Sequence, residues 1–399
     1  MGHQRAGRQH RSRAGDDARL SRYCTLPKFW GGIADPDATR GPLVGHVAPR
    51  KDDPPFTAGS ELGHWFSHFH ARAITLRGLL EHALIAGDER IAEFVRRSYE
   101  FTLTQGIPRM GWINTYPCTN NQMESCAFGD LVGLGVRLSD AGLGDYWDDV
   151  DACTRNQLVE QQLLRIDDLR RVAAQFADKE WEHAKAHPGE LCFDNVFERS
   201  IGVFAGMGAP TAIPKPWVMH CCTGNATQGL YYAWEGTVRE TGTKAVVNLL
   251  LNRAGRLVDI DSHLPYEGRV LVRNKAARSV AVRIPAWVDV KALKVDVSGV
   301  RHDLDWTGRY LNFNDLPPGA VIALAFLVVE KQAAYTINAQ TKWEQVHTRT
   351  FRGSTLVDIA PRDQAPTSYP LYQRSHMRAA KAPIRQVERF VADRIVRKW

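Results

Sequence analysis

Apolar residues recur at spacings of three and four through "ARAITLRGLLEHALIAGDERIAEFVRRSYEFTLTQG", on both sides of Gly87-Asp88. That period predicts two helices, with Gly87 ending the first and Asp88 capping the second. The pattern returns in "ESCAFGDLVGLGVRLSDAGLGDYWDDVDACTRNQLVEQQL", where Gly144-Asp145 lies 57 residues after the first turn. A recurring hairpin from about residue 60 to 240 predicts an array of paired helices stacked in a ring or a solenoid.

Near residue 243 the period shortens. "AVVNLLL", "RLVDI", "RVLVR", "SVAVRIP", "LKVDV" and "AVIALAF" are short β-branched runs separated by Gly, Asn and Pro. They predict an antiparallel β-sandwich. The tail "IRQVERFVADRIVRKW" returns to helical spacing, with Ile384, Val387, Val391 and Ile395 on one face, and reads as a helix docked on the sandwich. The expected fold class is therefore α+β and multidomain. A basic tail (1–20) precedes a helical-hairpin region (21–240), then a sandwich (241–375) and a basic amphipathic segment (376–399).

Composition narrows this picture without redrawing it. With 44% hydrophobic and 24% charged residues over 399 positions, the chain is an ordinary globular protein too long for one core. No apolar run approaches the roughly 20 residues of a membrane span. The start, "MGHQRAGRQHRSRAGDDARL", has arginines but no apolar stretch of the secretory kind, so the expected location is cytoplasmic. The seven cysteines lack a disulfide-framework spacing and read as reduced thiols. The net charge of +7 sits at the two ends and leaves the body near neutral. No aromatic-basic interleaving accompanies those ends, so neither a nucleic-acid nor a membrane partner is expected.

Chemistry concentrates in "HCCTGN", residues 220–225. Adjacent cysteines make a strained disulfide, but two neighbouring thiolates can hold one soft metal ion, and either can act as a nucleophile. The bland alternative is a pair of small buried hydrophobes. "MESCAFG" offers Glu124 and Cys126, two residues apart. Such positions do not share a helix face, so both reach one ion only from a turn or a first helical turn, for which Asn120-Asn121 are plausible caps. Glu124, Cys126, Cys221 and Cys222 would form a Cys₃Glu site carrying about −2 with Zn²⁺, which requires nearby cations or donors. "CCTGNATQGLYYAWEG" reads as a turn entering a helix, with Asn225 as cap and Leu230, Tyr231 and Trp234 as its buried stripe. The cysteines would then lie just before a helix start, where a thiol pKa falls.

"ESCA" paired with "CCTGN…LYYAWEG", followed by "SVAVRIPAWV", "WTGRYLNF" and "PPGAVIALAF", resembles the zinc-dependent β-L-arabinofuranosidases of glycoside hydrolase family 127. The resemblance runs from about residue 55 to 375. It implies an (α/α)₆ hairpin toroid followed by β-sandwich domains, a carbohydrate substrate and a retaining mechanism. Carried over, Cys221 attacks the anomeric carbon, and Zn²⁺ is held by Glu124, Cys126, Cys221 and Cys222. The chain departs from the family twice. The stretch before ESC, "RMGWINTYPCTNNQM", contains no carboxylate where the family keeps its general acid. Glu61, Asp194 and Glu267 stay open as substitutes, and the acid is unassigned. Six or seven helices precede the sandwich where a closed ring needs twelve, so the toroid is expected to be incomplete.

Other residues admit two readings each. His64 and His68 stand one helical turn apart, with His70 on another face and Trp65 adjacent; they line a sugar pocket or serve structure. Trp112 and Tyr116 form a sugar platform or pack in the core, and His220 is a donor to the cysteines or a turn residue. Cys118 is an alternative ligand, whereas Cys24, Cys153 and Cys192 read as inert. "YWDDVD" reads as a charged helix N-terminus. Two rivals to the hydrolase are a non-catalytic carbohydrate-binding or scaffold protein with a structural zinc site, and a redox protein with a vicinal dithiol.

Overall fold

The structure, a computed structural model, describes residues 69–115, 122–176, 194–214, 216, 218–337 and 344–385. Glu61, His64, Trp65, His68, Tyr116, Cys118, Cys24, Cys192, Asn120-Asn121, the basic start 1–20 and residues 386–399 of the basic C-terminal segment lie outside the described residues.

Helices α1 (Phe69–Ala86) and α2 (Glu89–Thr104) form the expected hairpin. Gly87 takes a left-handed φ of 72°, and the Asp88 carboxylate accepts the amide of Ile91 at 3.0 Å. Two strands, β1 (Gly106–Ile107) and β2 (Trp112–Ile113), pair beyond it. Strand β3 (Met123–Glu124) runs directly into α3 (Ser125–Asp140), which is buried on almost every side. The second turn differs from expectation. Gly142, not Gly144, takes the left-handed conformation, and Asp145 is recruited by the sandwich instead of serving as a full cap. Helix α4 (Trp147–Cys153) continues into a π-helical turn, Thr154–Leu158. Then come α5 (Ile166–Ala173), α6 (Val196–Ser200), β4 (Met207–Gly208), β5 (Ala212–Pro214) and α7 (His220–Thr237). None of the helices among the described residues is long and apolar enough to cross a membrane.

Helices α3 and α7 touch backbone to backbone. A methyl on Gly229 would lie 2.5 Å from the Gly129 Cα, and one on Gly129 would lie 2.2 Å from the Asn225 carbonyl oxygen. The buried face of α7 is Cys222, Ala226, Gly229, Ala233 and Gly236, a stripe of small residues. Tyr231 and Trp234 face outward, which corrects the expected aromatic stripe. Small residues win here because only they allow the close approach.

Strand β6 (Val238–Thr241) leaves α7 without a break and opens the sandwich. One sheet has the order β14 (Trp306–Thr307), β15 (Tyr310–Phe313), β11 (Ser279–Arg283), β7 (Lys244–Val247), β6. The facing sheet has the order β13 (Val300–Arg301), β12 (Lys294–Val297), β16 (Val321–Ala325), β10 (Arg269–Asn274), β9 (Val258–Ser262), β8 (Arg253–Ala254). Pairing is antiparallel throughout except between β7 and β11, where Ala245 lies opposite Val280 in parallel register. Val247, Ile260, Val272, Val282, Phe313 and Ile322 fill the space between the sheets.

The chain then returns to the helices. Strands β17 (Glu330–Ile337), β18 (Gln345–Arg352) and β19 (Thr355–Ala360) form a third sheet, and β20 (Ser368–Pro370) pairs with β5. Phe351, Leu356, Ile359, Tyr369 and Tyr372 belong to the same core as α1, α3 and α4. Residues 330–372, expected in the sandwich, thus complete the helical core. The Asn156 side chain fixes them, accepting from the Leu356 amide and donating to the Ser354 carbonyl, both at 2.8 Å.

Candidate metal and catalytic site

The β3–β4 ladder and the N-termini of α3 and α7 meet at one point. Glu124 pairs with Met207 and serves as the N-cap residue of α3, so its side chain leaves from extended backbone while Cys126 leaves from the first helical turn. This break is what lets residues two apart aim at one place. Thr223 donates to the Phe204 carbonyl at 3.2 Å, tying α7 to the same strand segment. Helix α7 begins at His220, not at Asn225, so Cys221 and Cys222 sit inside its first turn. Asn225, expected as the cap, instead places its side-chain amide against the Cys126 sulfur, favouring the thiolate.

The sulfurs of Cys126, Cys221 and Cys222 all lie within 4.8 Å of one another. Cys126 and Cys222 are 3.1 Å apart, Cys221 and Cys222 are 3.9 Å apart, and Glu124 Oε1 is 3.7 Å from Cys222 Sγ. Tetrahedral zinc with Zn–S of about 2.3 Å sets sulfurs about 3.8 Å apart and a carboxylate oxygen about 3.5 Å from a sulfur. Two of the three separations match. The Cys126–Cys222 pair is closer, at a distance suited to a shared thiol proton, so taking up an ion requires these two to part by about 0.7 Å. Three soft donors and one carboxylate suit Zn²⁺ in kind as well as in number.

Without a cation the surroundings of Cys126 and Cys221 favour the protonated thiol. The Cys222 hydrogen bond, burial and the Glu124 charge all raise the Cys126 pKa, and burial with the Cys126 charge raises that of Cys221. Cys126 and Cys222 are 0% exposed, whereas Cys221 is partly open. The positive ends of two helices point at the cluster, each equivalent to roughly half a charge. A further cationic group stands behind it. Asp130, one turn after Cys126 on α3, receives His70 Nδ1 at 2.8 Å and an Arg77 nitrogen at 2.7 Å, and Arg77 also donates to the Tyr232 hydroxyl at 2.6 Å. Burial pulls the His70 pKa down, but the hydrogen bond and charge of Asp130, aided by Glu124, raise it overall. Of this group only His70 was expected from the sequence, and its bond to Asp130 gives it a structural partner. The signal for the rest was the single acid in the apolar run "FGDLVGLGV", since a buried carboxylate demands a buried cation.

The remaining expectations fall as follows. Trp112 is 2% exposed, with its indole donating to Asn114, and lies in the core with no ring face free for a sugar. His220 is exposed at the start of α7. Cys153 is buried with its thiol pKa raised by burial, in keeping with an inert role. Glu267 accepts the Ala382 amide at 3.1 Å and faces His263, so its carboxylate is committed at the sandwich edge. Asp194 is exposed. Of "YWDDVD", Asp148 and Asp149 occupy the first turn of α4 as expected, but Asp145 and Asp148 also grip Arg283 of the sandwich.

No family model matches the chain, and no curated protein matches it. Solved structures do share its architecture. A β-arabinofuranosidase of glycoside hydrolase family 127 aligns over 73% of this chain and 47% of its own, with a TM-score of 0.53 and 14% identity. A second, described as a glycoside hydrolase, aligns over 72% of this chain and 51% of its own, with a TM-score of 0.50 and 13% identity. A family 127 β-L-arabinofuranosidase from Geobacillus stearothermophilus T6 aligns over 73% and 46%, with a TM-score of 0.49 and 14% identity. The chain therefore spans about half the length of the solved structures it matches. At these identities the likeness defines the fold, helices followed by antiparallel sheets arranged as in family 127 hydrolases.

Proposed function

We propose that this chain is a retaining glycoside hydrolase that removes a terminal furanoside of the β-L-arabinofuranoside type, with Cys221 as nucleophile. The helical part is read as an incomplete (α/α)₆ toroid. The observation that carries the proposal is the meeting of three thiols and Glu124 at two helix N-termini, on a fold shared with arabinofuranosidases. Zn²⁺ held by Glu124, Cys126, Cys221 and Cys222 would supply the positive charge that keeps the Cys221 sulfur deprotonated at neutral pH. Only Cys221 is open to a substrate, so its sulfur attacks the anomeric carbon as the glycosidic bond breaks. Water then displaces the sulfur from the sugar, and two inversions give net retention. Asp130, with His70, Arg77 and Tyr232, ties α1, α3 and α7 together.

The alternative is a carbohydrate-binding or scaffold protein with a structural zinc site. It is favoured by the acid-free stretch 109–123 and by the commitment of Glu267 to Ala382. Aryl furanosides separate the two, because a phenolate departs without protonation whereas a sugar alkoxide needs a general acid. The expected result is turnover of 4-nitrophenyl β-L-arabinofuranoside by protein carrying about one zinc, abolished in Cys221→Ser. Cys222→Ser should lose most of the metal. Zinc-loaded protein that cleaves no activated glycoside would hand the case to the binding reading.

A further inference from the structure

Helix α7 leaves two aromatic rings facing outward, Tyr231 at 45% and Trp234 at 48% exposure, with centroids 5.9 Å apart. Trp234 is held in place from behind. The Arg253 guanidinium lies 4.3 Å from its ring centroid and donates to the carbonyls of Trp234 and Glu235. The ring borders a cleft of about 380 Å³ between α7, the π-helical turn and the sandwich loops, with Leu264, Tyr266 and Asn252 on its far wall.

Thr154, also in the lining, is the unusual member. The hydroxyls of Thr75, Thr102, Ser139, Thr227 and Thr237 each donate to the carbonyl four residues back, at 2.7–2.8 Å. Thr154 stands in helical backbone too and is 5% exposed, yet its Oγ1 has no hydrogen-bond partner. A buried hydroxyl left alone costs about 1–3 kcal/mol. It also sits at the start of a π turn, a feature that concentrates at functional sites.

We propose that this cleft is a second saccharide-binding site, taking one or two sugar rings and separate from the thiol cluster. Trp234 is twelve residues beyond Cys222 on one helix, about 18 Å along its axis. The lining selects the ligand class. An apolar ligand would leave the Thr154 hydroxyl unsatisfied. An anion would need free positive charge, but Arg155 is paired with Asp151 at 2.9 Å and Arg374 with Glu160 at 2.7 Å. A sugar offers C–H faces to Trp234 and Tyr266, and hydroxyls to Thr154 and Asn252.

The test follows indole N–H signals of ¹⁵N-tryptophan-labelled protein during titration with methyl β-L-arabinofuranoside, with glucose in parallel. Choosing an arabinoside as first probe rests on the proposed function; the cleft does not. The Trp234 signal is assigned from its loss in Trp234→Phe, which keeps a ring in place. The expected result is a saturable shift of that signal by one of the sugars, with Thr154→Val weakening binding about three- to tenfold, the worth of one neutral hydrogen bond. Aryl-furanoside turnover should stay within about twofold of the parent in both variants. A Trp234 signal that stays put to about 50 mM of either sugar, well beyond a millimolar Kd, overturns the proposal. Saturable binding at Trp234 in a protein that hydrolyses nothing would sink the hydrolase reading and leave this site standing.

Discussion

Asp149 sits in the first turn of α4, and its pKa is raised to about 6, first by burial and then by the charge of Asp148. The unfolded carboxyl titrates near 3.9. Below that value both states are protonated and the residue costs nothing. As pH rises through 6 the folded state must ionise a half-buried group, so stability is lost across that window. Asp149→Asn removes the cost. The variant should match the parent near pH 4 and gain on the order of 1–2 kcal/mol by pH 8, after discounting a two-unit shift for residual solvent contact. Thermal melts at the two pH values decide it. An equal gain at pH 4 would show that packing, not ionisation, is responsible. The cysteines teach a related lesson. Their convergence was legible because soft donors in two clusters have few other uses, whereas Asp130, Arg77 and Tyr232 were not, being 53 to 155 residues apart in their pairings.

Among the helices, turns were easier to read than faces. Gly87-Asp88 was legible because a left-handed residue followed by a capping carboxylate is a local matter. The face of α7 was not, because a hydrophobicity count gives Tyr231 and Trp234 more weight than Gly229 and Gly236. What decides is the neighbour, and α3 brings its own Gly129 to the contact. The N-terminus of α7 was misread for a similar reason. Asn225 resembles a cap, but its amide is used by Cys126 across the interface. Gly229→Ala should therefore do more than adjust helix propensity, which by itself favours Ala. Its methyl would fall 2.5 Å from a backbone atom, so α7 must move and carry Cys221 and Cys222 with it. The expected outcome is a loss of about 1–3 kcal/mol, together with weaker metal retention on dialysis. Gly224→Ala, where an added methyl meets nothing within 4 Å, is the control. Equal behaviour of the two variants would refute the close-contact account.

At the scale of the whole molecule, a buried guanidinium is one of the links between the helical core and the sandwich, beside the Arg253 bonds to α7 and the Arg239–Asp140 pair. Arg283 ends β11, is 2% exposed, and binds Asp145 just before α4 at 2.9 Å and Asp148 in its first turn at 2.8 Å. No sequence period announces such a link, because Arg283 lies on the face of β11 opposite the core-filling Val280 and Val282, where alternation predicts solvent rather than a second packed unit. The same limit hid the return of residues 330–372, since a strand's alternation shows that one face is covered and not by what. Removing the charge isolates the link. Arg283→Met keeps the length and apolar stem of the side chain but leaves two carboxylates facing each other. For a fully buried pair that costs roughly 3–5 kcal/mol. Asp145 and Asp148 keep 42% and 34% of their side-chain surface in water, so about 2 kcal/mol is the better expectation. The parent should melt in one transition, and Arg283→Met in two, with the sandwich and the helical core uncoupled. Asp145→Asn combined with Asp148→Asn in the Met background should recover part of the loss by removing the stranded charges. A single transition in Arg283→Met within about 1 °C of the parent, less than the shift from 1 kcal/mol, would mean that apolar contacts hold the two parts together.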